Sequence, residues 1–147
     1  MLKREQIILE FWKRVASVSG MTYTARNPVA SPNVDDLPIG NIFDFPAKAV
    51  KTAGSSRTGI PIIGFDMSVI LEVYMAGTTE YSSTNEFFTF YTEVLKAIYV
   101  DGASLGDLKC HIMLNEMTRI FRPPIGGNTV GIGTVFTVSY FEDFNNL

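Results

Sequence analysis

The sequence predicts an α+β fold: a mainly antiparallel four-stranded sheet with two helices packed on one face, in the order α-β-β-α-β-β. Three observations predict it. Between Phe65 and Met75 every odd position is apolar, while Asp66, Ser68 and Glu72 take the other register. That is the period-two signature of a strand with one buried face. After Gly77 the period changes, and Phe87, Phe88, Phe90, Tyr91, Val94, Leu95, Ile98 and Tyr99 recur at three and four residues, as on an amphipathic helix. Alternation returns near the end, with Val130, Ile132, Phe136, Val138 and Tyr140 set against Gly131, Gly133, Thr137 and Ser139.

Taken in order, residues 3–17 place Ile7, Ile8, Phe11, Trp12 and Val15 on one side of a helix and Arg4, Glu10, Lys13 and Arg14 on the other, with a stop near Gly20. Residues 21–37 hold Asn27-Pro28, Ser31-Pro32-Asn33 and Asp35-Asp36, all turn formers, and read as an extended connection. A short apolar run from Ile39 to Phe45, with a proline at each end, reads as a strand. Residues 46–61 carry Lys48, Lys51 and Arg57, no acidic residue and the string Ala53-Gly54-Ser55-Ser56, and read as a long loop. Ser83 and Glu86 form a capping box ahead of Phe87, and Asp101-Gly102 supplies the helix stop. Residues 109–121 form a strand whose register a bulge near Glu116 restores. It makes a final hairpin with residues 130–140 across the loop 122–128.

At 147 residues and 16.3 kDa the chain is expected to form one domain, residues 1–147, able to bury a full core without metals or disulfides. A net charge of −3 and a pI near 5.1 argue against a general nucleic-acid binder, whose footprint is a strong positive excess. Cys110 is the only cysteine, so no intramolecular disulfide forms and a reducing cytoplasm is the default. The N-terminal apolar run is broken by Glu10, Lys13 and Arg14, unlike a signal peptide. Glu72, Glu93 and Lys96 interrupt the longest apolar stretches, so no membrane span is expected.

No pattern of residues names a reaction. His111 is the sole histidine, which leaves no His-rich metal site and, with one cysteine, no zinc cluster; no cofactor is expected. Cys110 and His111 are adjacent, but on a strand neighbours point to opposite faces, so the histidine does not activate the thiol. Asp66 and Glu72 share a face, yet six residues of strand separate them by roughly 20 Å, too far for paired-carboxylate catalysis. The glycines from Gly126 to Gly133 precede a strand pattern, whereas a phosphate-cradling loop needs a helix. An enzyme is the poorly supported class.

The layout resembles the tail terminator (tail completion) proteins of long-tailed bacteriophages. The resemblance is carried, in order, by the opening helix over residues 7–15, Tyr23-Thr24-Ala25-Arg26-Asn27-Pro28, and Asp36-Leu37-Pro38-Ile39. It continues through the strand from Phe65 to Tyr74 ending in Met75-Ala76-Gly77, the helix to Ile98, Leu105-Gly106-Asp107-Leu108, and the last strand over residues 134–140. The resemblance implies a structural virion protein, assembled in the bacterial cytoplasm, that forms a six-fold ring at the head-proximal end of the tail tube. Its partners would be further copies of itself, the tail tube protein, and a head-completion or connector protein, with DNA passing through the ring but no sequence-specific contact. It implies no catalytic residues.

A ring subunit needs contacts that close on neighbouring copies, and long arms supply them. The loops 46–61 and 122–128 are candidate arms, which makes Lys48, Lys51, Arg57, Arg122, Ile125 and Asn128 candidate interface residues. Phe141 and Phe144 are candidates for burial on assembly. Another head–tail connector or a tail-tube subunit would share this layout. A small-ligand module or an enzyme would need a concave pocket with convergent polar groups.

Overall fold

Helix α1 spans Lys3–Ala16 in the computed structural model, which describes residues 1–29, 34–53, 59–76, 80–120 and 129–146. Ile7, Ile8, Phe11 and Val15 are buried along one side, as their spacing predicts. Two neighbours depart from that expectation. Trp12 lies at the margin, 37% exposed, with its indole N–H donated to the Thr24 carbonyl at 3.1 Å. Arg14, expected in solvent, is buried; its guanidinium donates to Glu10 (3.1 Å), to the Ile98 carbonyl (3.0 Å) and to Asp101 (2.6 Å). The cause is tertiary: the last turn of α1 meets the end of the second helix, whose terminal carbonyls lack helical partners. The start of α1 is also capped from afar, since Leu2 has no capping side chain and the Lys3 N–H donates to buried Glu142 at 2.7 Å.

Helix α2 spans Glu80–Ile98. It begins before the expected point, so Ser83 lies inside the helix span and not at its start. Phe87, Tyr91, Val94 and Ile98 face inward, while Phe88 is 48% exposed. The stop is where the sequence puts it: Gly102 has φ +73°, which suits glycine, and donates its N–H to Tyr99 at 2.9 Å.

Among the described residues the sheet has six strands, not four: β1 (Tyr23–Arg26), β2 (Ile39–Asp44), β3 (Lys48–Ala53), β4 (Ile62–Ala76), β5 (Cys110–Ile120) and β6 (Thr129–Glu142). The spatial order is β1-β2-β4-β6-β5, with β3 also paired to β4. β1 runs parallel to β2 and every other pair is antiparallel, so the sheet is mixed. Two segments read as connections therefore contain strands, β1 within 21–37 and β3 within 46–61. Neither shows alternation, because each is a short edge piece whose pairing is set by a longer neighbour.

β4 is the longest strand, and Met67, Val69, Leu71 and Val73 are fully buried beneath both helices. Opposite them on β6 stand Val138, Phe136, Thr134 and Ile132. The Phe136 ring meets Phe11 of α1 edge-on at 5.3 Å. Burying a side chain such as Leu71 contributes about 1.5–3 kcal/mol. Gly40 lets α1 approach β2 closely, since a Cβ there would come within 2.8 Å of Val15. The register shift between Leu114 and Glu116 is the bulge that the sequence predicts.

Candidate interaction surface

β2 and β3 lie end to end along one edge of β4. β2 pairs with Tyr74 to Val69, and β3 with Asp66 to Ile62. The Phe45 N–H still donates to Ser68 at 3.1 Å, but Pro46 has no N–H, and the strand breaks there. β3 and the first residues of β4 thus form an arm that carries the sheet edge beyond the break, beside the end of β6.

The root of that arm is held by charge. Asp44, with a side chain only 4% exposed, accepts from Arg26 (2.9 and 3.0 Å), Arg4 (2.6 Å) and Asn27 (2.8 Å). Arg26 also grips Glu5 of α1 through two bonds, at 2.7 and 3.0 Å. Burial alone would push the Asp44 carboxyl up. The hydrogen bonds from Arg26 and Asn27, and the charges of Arg26 and Arg4, outweigh it and hold the group at about 2. The Arg26 hydrogen bond likewise holds Glu5 below the usual carboxylate range.

The far end of the arm is tied to the C-terminal tail. Asn145 donates through its amide nitrogen to the Ile60 carbonyl at 2.5 Å, and its amide oxygen accepts the Ile60 N–H at 3.2 Å, imitating a strand partner. Phe144 meets Phe65 edge-on at 6.2 Å.

The sheet face away from the helices is uncovered along this arm. Cross-strand rows run over it: Lys48, Asp66, Ser139 and His111 in one, and Lys51, Gly64 and Phe141 in the next. A groove of about 680 Å³ lies over these rows, with Val50, Lys51, Asp66, Lys109, His111 and Phe141 among the residues that line it. Asp66 accepts the Ser139 hydroxyl at 2.6 Å, and the Lys51 ammonium sits 5.0 Å above the Phe141 ring. Among the described residues, Lys48, Lys51 and Lys109 join no ion pair.

Of the interface residues named from sequence, Lys48, Lys51 and Phe141 come together on this open face. Phe144 is half-buried against Phe65 of its own chain. Arg57, Arg122, Ile125 and Asn128 lie outside the described residues, as does the loop 122–128. Lys109 and His111 are not among the interface residues expected from sequence; both line the groove, His111 through the β5–β6 register. Cys110 is half-buried opposite Tyr140, away from His111, and burial pushes its thiol up, away from the reactive thiolate. Among the described residues no three His, Cys, Asp or Glu side chains gather as a metal would need, and no helix is long and apolar enough to cross a membrane.

The molecule is thus a two-layer α+β unit with one helix-covered face and an opposite face that is open around the groove. No protein-family model matches the sequence, and no curated protein is significantly similar to it. Solved structures do match. A chain from the virion of a native gene transfer agent particle is 14% identical, over 90% of this chain and 92% of its own, with a TM-score of 0.42. A chain from the cryo-EM structure of an extracellular contractile injection system, the PVC sheath/tube terminator in its extended state, is 9% identical with a TM-score of 0.53. That match covers 93% of this chain and 55% of the other, so this chain spans little more than half its length. At such identity the likeness is one of fold.

Proposed function

We propose that this protein is a structural subunit of a tail-like assembly, which closes into a ring at the head-proximal end of a phage tail tube, ends tube growth and offers the surface for head attachment. The carrying observation is the fold shared over 93% of the chain with a chain of a sheath/tube terminator structure. The order of sequence elements supports the same reading. So does the edge built from β3 and the start of β4, whose root is fastened by Asp44, Arg4 and Arg26. The role is architectural, without a catalytic step or a cofactor. The partners are further copies of the chain, six to a ring, the tube protein, and a head-completion or connector protein.

Negative-stain imaging of the purified protein mixed with matching tail tubes tests the proposal. Tubes carrying a ring at one end, and no longer growing, are expected. Incorporation along the tube would make it a tube subunit instead, and no association with tubes would overturn the reading.

A further inference from the structure

We propose that the outer edge of β3 is a docking site for an extended, acidic segment of a partner polypeptide, which adds to the sheet as a further strand. The observation behind it is a step in the sheet edge. β1 covers β2 as far as the Arg26–Ile42 pair, and beyond it β3 pairs with β4 on one side and, among the described residues, with nothing on the other. A row of backbone N–H and C=O groups without strand partners is a template for another chain. β3 is six residues long, enough for a strand of ordinary length to lie beside it.

Charge selects the occupant. Lys48 and Lys51 pair with Asp66 and Gly64, so both belong to the open-face register of this edge. Both are exposed, and neither joins an ion pair among the described residues. Lys109 extends the cationic row across the groove, where Asp66 is the only carboxylate among the described lining residues. An added strand would set every second side chain beside Lys48 and Lys51, and carboxylates there would complete the row. Val50, 48% exposed at the bulge between the two lysines, offers an apolar contact to a residue between the acidic positions. The backbone edge recognises a polypeptide. A nucleic acid cannot pair with it, and a chain of net charge −3 with a short cationic row is a weak footprint for phosphates. The inference does not depend on the ring reading, because an edge that accepts a strand does so in any assembly.

The test uses the full chain and a fluorescent ten-residue peptide alternating Glu with Val or Thr, followed by anisotropy at low and moderate salt. A counterpart with Lys in place of Glu, and a double-stranded DNA oligonucleotide, are run beside it. The acidic peptide is expected to bind, more weakly as salt rises, and to slow amide hydrogen exchange at residues 48–53. The variant K48E/K51E is expected to lose about tenfold in affinity without a change in thermal melt, and the neutral K48Q/K51Q to fall between. Three results would overturn the proposal: equal binding of acidic and basic peptides, protection elsewhere than β3, or undiminished binding by both variants. Competition by DNA at equal charge would reassign the row to phosphates. If no peptide binds, the lysines only guard the edge against pairing.

Discussion

The two faces of β4 are built from one stretch of chain and do opposite work. On the helix side Met67, Val69, Leu71 and Val73 are sealed, and their neighbours are chosen by volume. On the other side the same strand offers Asp66, Ser68 and Glu72, satisfied locally: Asp66 by Ser139, and Glu72 by the Tyr74 hydroxyl. The difference teaches where stability and interaction are stored. A sealed face tolerates little change because its interior is close-packed, whereas a half-open face is free to be selected for contacts.

The largest effect is expected from Leu71→Ala, at the centre of the sealed face. It should cost about 2–5 kcal/mol in denaturant unfolding, while Ser68→Ala on the opposite face should stay within about 0.5 kcal/mol. Equal effects would show that the faces are not distinct.

Arg14→Ala sharpens the helix side, since it leaves the Ile98 carbonyl and two carboxylates without a partner. A loss of about 1–3 kcal/mol is expected, below that of a core leucine because Asp101 is half exposed and can turn to water. A loss below measurement error would mean that water replaces the guanidinium without cost.

Acid should weaken the root of the arm next. Asp44 titrates near 2 in the folded chain against an ordinary 3.8, so its contribution is complete above the ordinary value. It fades as pH falls through that window to about 2, and amounts to roughly 2 kcal/mol. Asp44→Asn should flatten the acid limb of a stability–pH curve, and an unchanged slope would assign the limb to other carboxylates.

The smallest effect is expected at the arm's far end. Asn145→Ala removes both bonds to Ile60, and should lower global stability by less than about 1 kcal/mol while speeding amide exchange at Ile60. Unaltered exchange there would show that Phe144 against Phe65 holds the tail by itself.

The buried register of β4, most of the inward positions of both helices, the bulge near Glu116 and the stop at Gly102 are legible along the chain, because each is a local periodicity or a local conformational demand. The sequence could not announce β1 or β3: Tyr23-Thr24-Ala25-Arg26 and Lys48-Ala49-Val50-Lys51 carry no alternation, and become strands only because β2 and β4 present an edge to them. Part of the groove was legible, in Lys51 and Phe141. The place of His111 was not, because only the pairing of β5 with β6 sets it beside Ser139 and Asp66. Tertiary structure alone decided that Arg14 turns inward and that Glu142 caps a helix 139 positions away. A buried donor must find an acceptor wherever the fold brings one, and that meeting is written in three dimensions, not along the chain.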